Sequence, residues 1–304
     1  MSAARLFAVR WFVASLIVLV APVSFGHAAS VALPRRIVSL APSVTETMFA
    51  LGFGDRLVGV TTYCDYPPEA RKLPKIGGFT NPSLEAIVAK RPELVIGVNA
   101  ANDPVTVREI ERLGIKVVLL TVTSVNDILN SIRSIAGLLG NPAPGEELVN
   151  KISLQIGAVK KAVSKAPRRA TLLAVGVQPL VAVGGKNFID ELITLAGGEN
   201  IAGDAAQPWL NLPDEYVVAK APQVIIEAGM GSDRGRFARN WSDLKSIPAV
   251  KEQRIYAYPS DKILRPGPRI GDGLEEIARF VHPECFAESN RVLNKGSLCE
   301  SSRP

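Results

Sequence analysis

Two histidines, His27 and His282, and three cysteines, Cys64, Cys285 and Cys299, are the only imidazoles and thiols in the 304 residues. A structural zinc centre takes four such ligands, and a hydrolytic triad needs a base held beside its nucleophile. This inventory supplies neither readily. No Gly-x-Ser-x-Gly, Walker A or His-Glu-x-x-His run is present. The run from Gly229 to Gly235 resembles a phosphate loop only loosely and reads better as a cleft or surface loop. The chemistry expected is therefore binding rather than catalysis, with no cofactor and no resident metal; a secreted enzyme is the weaker reading.

The first residues are read as an export signal. Arg5 and Arg10 precede an apolar run from Trp11 to Val23, and small residues follow between Phe25 and Ala29. That order marks a secretory signal peptide over residues 1–28, cleaved near Ala28, and a periplasmic location. The apolar run is too short to span ~30 Å of hydrocarbon. Cleavage would remove His27 and leave His282 alone. In an exported chain Cys285 and Cys299 form a possible disulfide within a polar tail, residues 284–304, and Cys64 remains as a buried thiol or a soft group facing the cleft. The formal charge of +6 comes with no long basic run, so no nucleic-acid partner is expected. At 47% hydrophobic and 21% charged residues, the chain has the composition of a folded protein rather than a disordered one.

The elements that must position any site alternate in type. Arg36–Leu40, Leu57–Thr62, Leu94–Val98 and Lys116–Val122 read as strands. Helices are expected from Ser43 to Gly52, with Ser43 and Glu46 as a capping box, and over Leu84–Lys90, Pro104–Leu113 and Ser124–Leu139. Such alternation predicts the α/β class with parallel-type sheets covered by helices. Val149, Ile152, Ile156, Val159 and Val163 then fall on one stripe of a long helix, ~30 Å at 1.5 Å per residue. We read this helix, residues 143–166, as a rigid connector between two similar α/β lobes, residues 35–142 and 167–283.

An internal repeat agrees with two lobes. The segment Glu85–Ile96 matches Glu215–Ile226 at Glu, Val, Ala, Lys, Pro and Ile. A second echo pairs Leu51–Gly59 with Leu195–Gly203. Glu85 and Glu215 hold the same place in the two copies, one for each half of a two-fold partner.

The run Ile37–Glu46, with Leu51-Gly52 after it, resembles the opening of the helical-backbone periplasmic binding proteins of ABC importers, receptors for vitamin B12, ferric siderophores and haem. Thr62–Pro68, Pro208-Trp209 ahead of Glu215, Ser260-Asp261, Arg265 and Pro268-Arg269 resemble its vitamin B12 receptors. The resemblance covers residues 35–283. It implies a monomeric receptor that holds a cobalamin-like corrinoid in the cleft between the lobes and delivers it to a membrane permease dimer; haem or a ferric siderophore is the alternative ligand within the family. It implies Tyr63, Phe79, Trp209, Asp261 and Arg265 as ligand contacts, and Glu85 and Glu215 as docking residues. Phe79 stands where those B12 receptors have Trp, Val181 where they have Phe, and Ser43 where they have Ala. Read without the resemblance, Asp261 and Arg265 could be a surface ion pair.

Overall fold

A computed structural model describes residues 33–99, 102–229, 239–258 and 261–286. The leader, Cys299 and all but Gly229 of the Gly229–Gly235 loop lie outside these residues. In the first half β1 (Ile37–Ser39), α1 (Pro42–Ala50), β2 (Leu57–Val60), α2 (Leu84–Ala89), β3 (Leu94–Val98), α3 (Pro104–Arg112), β4 (Lys116–Leu120) and α4 (Val125–Leu138) follow one another. The strands lie in the order β2-β1-β3-β4 with every pair parallel. Helices cover both faces of a parallel sheet, so β3 is buried along its whole length and its sequence is an unbroken apolar run.

α1 departs from expectation at its start. Pro42 occupies the first helical position and Ala41 the N-cap, and no side chain caps the helix. Proline needs no amide there and presets the helical φ, so the helix begins before Ser43. Ser43 and Glu46 therefore form no capping box. The reciprocal cap occurs on α4, where Ser124 and Asp127 accept each other's backbone amides at 3.0 Å.

The connector α5 (Ala143–Val163) is followed by β5 (Arg169–Val177), β6 (Leu180–Val183), α6 (Phe188–Leu195), β7 (Gly198–Asn200), β8 (Trp209–Asn211), α7 (Asp214–Lys220), β9 (Val224–Ala228), α8 (Pro248–Lys251), β10 (Ile255–Tyr258) and α9 (Ile270–Val281). The second sheet runs β10-β9-β5-β6-β8, with β7 also on β5. β10, β9, β5 and β7 pair in parallel, but β6 is antiparallel to β5 and β8 to β6. The expected parallel-type sheet is thus mixed. Only Gln178 and Pro179 separate β5 from β6, and a parallel crossover needs a dozen or so residues.

The two α/β halves are joined by one helix and share one core. Val149, Ile152, Val159 and Val163 on α5 are buried, and Ile156 is half-buried. The helix packs on α4 of the first half and α9 of the second. A Cβ on Gly145 would stand 2.6 Å from the Ala136 Cβ of α4, so the two helices meet at glycine distance. A single hydrophobic cluster runs from Ile37 and Ile96 through Val149 and Ile152 to Ile226 and Leu274. Bending α5 would open that core, and close-packed interiors resist this.

The repeat is carried by backbone as well as side chains. α2 leads into β3 as α7 leads into β9. Arg91 and Ala221 both turn left-handed, with φ of 47° and 45°, one residue before a buried proline. The second echo is shifted: Gly52 and Gly197, with φ of 81° and 83°, share the place after α1 and α6, whereas the sequence match set Gly52 against Ala196.

Candidate ligand-binding site

In sheets of this kind, ligands are held beyond the carboxyl ends of the strands. Tyr63 lies just past the end of β2 and Asp261 just past the end of β10, each the outer strand of its sheet. Arg265 reaches from the second half to the first. Its Nη2 donates to the Tyr63 carbonyl at 3.0 Å and to Asp65 Oδ1 at 2.9 Å, and its Nη1 donates to Glu46 Oε1 at 2.7 Å. Asp261 closes the same guanidinium from its own half. Arg269 takes both oxygens of Glu46, Nε to Oε2 and Nη2 to Oε1, each at 2.7 Å, and lies 4.0 Å over the Tyr66 ring.

These groups are enclosed. The Glu46 side chain is 1% exposed, Asp261 8% and Arg265 11%, so the pair read as a surface contact is a buried one that joins the two halves. Burial alone would lower the Arg265 pKa. The charge of Asp261, then Glu46 and Asp65, outweighs it and holds Arg265 above its ordinary value. Arg269 is raised in the same way, chiefly by Glu46. Both guanidiniums stay charged, and a buried charge is tolerated only when paired this fully.

The aromatic candidates differ in setting. Tyr63 is 51% exposed and Trp209 40%. Phe79 is half-buried against the core cluster. Among the described residues no ring contact joins the three. Their backbones are fixed nonetheless. Asn102, buried at the end of β3, accepts from the Val98 amide at 2.7 Å and donates to the carbonyls of Leu40 and Phe79 at 3.2 Å. The Pro208 carbonyl, next to Trp209, accepts from the Gly184 amide at 3.0 Å and from Asn187 Nδ2 at 3.2 Å. Two exposed rings on pinned backbone, one in the segment after β2 and one at the start of β8, can present flat apolar faces at little ordering cost.

Comparison with known proteins settles the family. The model described as "Periplasmic binding protein" matches residues 37–262, from β1 to the charged cluster. The chain belongs to the periplasmic binding protein family. The vitamin B12-binding protein of Vibrio parahaemolyticus is 29% identical over 244 residues, 80% of this chain and 88% of that one. The uncharacterized ABC transporter substrate-binding lipoprotein YvrC of Bacillus subtilis is 31% identical over 265 residues, 84% of this chain and 82% of its own. The solved structure of the periplasmic haem-binding protein RhuT from Roseiflexus sp. RS-1 superposes with a TM-score of 0.73 at 31% identity, covering 83% of this chain and 99% of that chain.

Within this periplasmic binding protein, Arg265 joins Tyr63 and Asp261 directly, whereas Phe79 packs on the core cluster and Trp209 opens β8. Glu46, Asp65 and Asn102 were not anticipated as site residues. Glu46 carried a usable signal, a lone carboxylate in a helix that is otherwise apolar or small. Asp65 sat inside the recognised Tyr63 segment. Asn102 carried none. A cavity of about 370 Å³ beside Arg269, lined also by Phe49, Tyr66, Leu148 and Gln155, lies against α1, α5 and α9.

The remaining candidates are placed as follows. Glu85 and Glu215 are exposed at the second positions of α2 and α7. Cys64 is buried, and its Sγ lies 3.1 Å from Thr45 Oγ1 and 3.2 Å from Thr61 Oγ1, so it is a core thiol rather than a cleft group. Cys285 is half-buried and free, and its partner in the expected disulfide, Cys299, lies outside the described residues. His282 is fully buried, with Nδ1 3.0 Å from Glu284 Oε1 and Nε2 3.2 Å from the Gly197 carbonyl. The ligating atoms of His282, Glu284 and Cys285 lie within 4.8 Å of one another, but the Arg169 guanidinium, 2.9 Å from Glu284, opposes a cation there. Among the described residues no helix is long and apolar enough to cross a membrane.

Proposed function

We propose that the mature chain is a periplasmic receptor that captures a cobalamin-like corrinoid between its two halves and delivers it to the permease dimer of an ABC importer. Export follows from residues 1–28 as a signal peptide cleaved near Ala28. The receptor acts as a monomer and not as an enzyme. The observation that carries the ligand class is the pair of exposed rings, Tyr63 on the first half and Trp209 on the second. A corrinoid is broad and apolar in its middle with amides at its rim, so it needs flat faces on two sides and a few polar groups at the edge. The vitamin B12-binding relative supports this choice.

Asp261 and Arg265 act here through Tyr63. Arg265 holds the Tyr63 carbonyl and draws the first-half loop against the second half, so the receiving faces are set before ligand arrives. One packed connector and one buried ionic bridge favour a receptor that changes shape little on binding. Glu85 and Glu215 dock the loaded receptor onto the permease.

A second reading, haem, rests on the RhuT likeness and on the exposed Tyr63 phenol, since phenolate is a known axial ligand of haem iron. One experiment separates the readings. Purified mature protein is titrated with cyanocobalamin, cobinamide, haemin and a ferric siderophore, following heat and absorbance. One-to-one binding of a corrinoid supports the proposal. Saturation by haemin alone, with a shifted Soret band that Tyr63→Phe abolishes, moves the assignment to haem.

A further inference from the structure

The segment that carries Tyr63 lies between β2 and Pro68, and residues 63–66 belong to no strand or helix. Four successive residues there are each held by a different cation. The Tyr63 carbonyl accepts from Arg265 Nη2, the Cys64 carbonyl from Lys75 Nζ and the Asp65 carbonyl from Arg71 Nε, each at 3.0 Å. The Tyr66 ring lies under the Arg269 guanidinium. A held carbonyl fixes the plane of its peptide, so three consecutive planes are set without a sheet ladder or a helix. A bond from a charged donor is about twice as strong as one between neutral groups.

Arg265 and Arg269 come from the second half and are spent on acids as well. Arg71 and Lys75 belong to the first half, and neither has an acidic partner among the described residues. A surface lysine without an acid ordinarily leaves its ammonium in water. Lys75 instead gives two donors to carbonyls, Cys64 at 3.0 Å and Ala70 at 3.1 Å. It thereby ties the Tyr63 segment to the turn that follows it. Its own backbone is anchored to β2: the Val60 amide donates to the Pro74 carbonyl at 2.9 Å, and the Ile76 amide donates to the Val60 carbonyl at 3.0 Å.

We propose that Lys75 is a positioning residue for the ligand site, setting the Tyr63 segment in its receiving geometry before ligand arrives. The inference rests on Tyr63 receiving the ligand, as proposed above. Arg265 ties the Tyr63 peptide to the second half, and Lys75 ties the next peptide to the edge of the first sheet, so the ring is referred to both. Ordering one residue of free backbone costs roughly tenfold in an equilibrium constant, and a segment already held spares the ligand that cost.

The test compares Lys75→Met, which keeps an unbranched side chain and removes its donors, with Lys75→Arg, which returns a cation. The Thr62 and Cys64 amides, bonded to the Gly77 and Thr61 carbonyls, report the order of the segment. Their hydrogen exchange is followed by NMR, free and with excess cyanocobalamin, beside titrations of both variants and of Tyr63→Ala. For Lys75→Met the free protein is expected to exchange at least about fivefold faster at these amides, with an unchanged urea midpoint. Affinity should fall by about three- to tenfold, and bound ligand should restore wild-type protection. Lys75→Arg should regain most of both losses. A residue needed only for stability would lower the midpoint and speed exchange throughout the chain, and that result overturns the proposal. So does wild-type exchange at Thr62 and Cys64 in Lys75→Met, or wild-type affinity in Lys75→Met where Tyr63→Ala binds weakly. If cyanocobalamin gives no heat, or Tyr63→Ala binds it normally, the ligand reading fails by itself. Exchange in the free protein then still decides whether Lys75 holds the segment.

Discussion

Arg265 Nη1 lies 2.7 Å from Glu46 Oε1, and the two residues belong to opposite halves of the chain, 219 positions apart. Glu46 is shared with Arg269, so a single buried carboxylate holds two guanidiniums of the second half against α1 of the first. Removing it leaves two buried cations with one acid fewer. Glu46→Ala is therefore expected to destabilise the fold by about 3–5 kcal/mol, read as a lower midpoint in urea unfolding. A change below about 1 kcal/mol would mean that water takes over the role of Glu46. Glu46 would then be a buried acid that the junction of the two halves does not need.

Trp209 and Trp241 make opposite predictions. Trp209→Ala should weaken ligand binding by about 1–3 kcal/mol, the range for an aromatic anchor, and leave the unfolding midpoint where it is, because the ring is exposed. Trp241 is buried and donates through Nε1 to the buried Glu227 at 2.9 Å. Trp241→Ala should lower stability by about 3–5 kcal/mol without acting on the ligand directly. Equal affinity for Trp209→Ala and wild type would make Trp209 a surface ring with no part in binding.

Acid should loosen the end of α9. Burial pushes the Glu284 carboxyl up, but hydrogen bonds from His282, its own amide and Arg169 prevail and bring it from 4.5 to about 2. A depressed folded pKa adds stability that is complete above the unfolded value and lost as the pH falls from about 4.5 to about 2. Glu284 is half exposed, so solvent screening keeps the contribution modest. The midpoint difference between wild type and Glu284→Gln should shrink across that window. A difference independent of pH would contradict the assignment.

Charge reversal of the docking acids should separate capture from delivery. With Glu85→Arg and Glu215→Arg together, ligand affinity is expected to match wild type while uptake into cells is lost, and each single change should retain part of it. Normal uptake by the double variant would leave the two acids as first-turn helix stabilisers, worth about 0.3–1 kcal/mol each.

Much of the fold was legible because it rests on local rules. Leu94–Val98 is a strand from end to end, and the α5 stripe is buried at four of its five places, with Ile156 half-buried. The mixed second sheet was not foreseen, because strand direction depends on the short link at Gln178-Pro179 rather than on the apolar pattern of β6. Ser43 and Glu46 had the spacing of a cap, but Pro42 started the helix earlier and Glu46 turned to a partner 219 positions away. The same distance hid the true setting of Asp261 and Arg265. Four-residue spacing showed that they could pair, and only the fold shows that they pair in a buried bridge to Glu46 and Asp65.

The most direct measurement is a calorimetric titration of the mature protein with cyanocobalamin, repeated on Trp209→Ala and on Tyr63→Ala. The account expects one site per chain in the wild type, quenching of Trp209 fluorescence on binding, and weaker binding in each variant, with both variants folded as wild type. Absence of heat with every corrinoid, or equal affinity in all three proteins, would contradict the claim that the rings of Tyr63 and Trp209 receive a corrinoid.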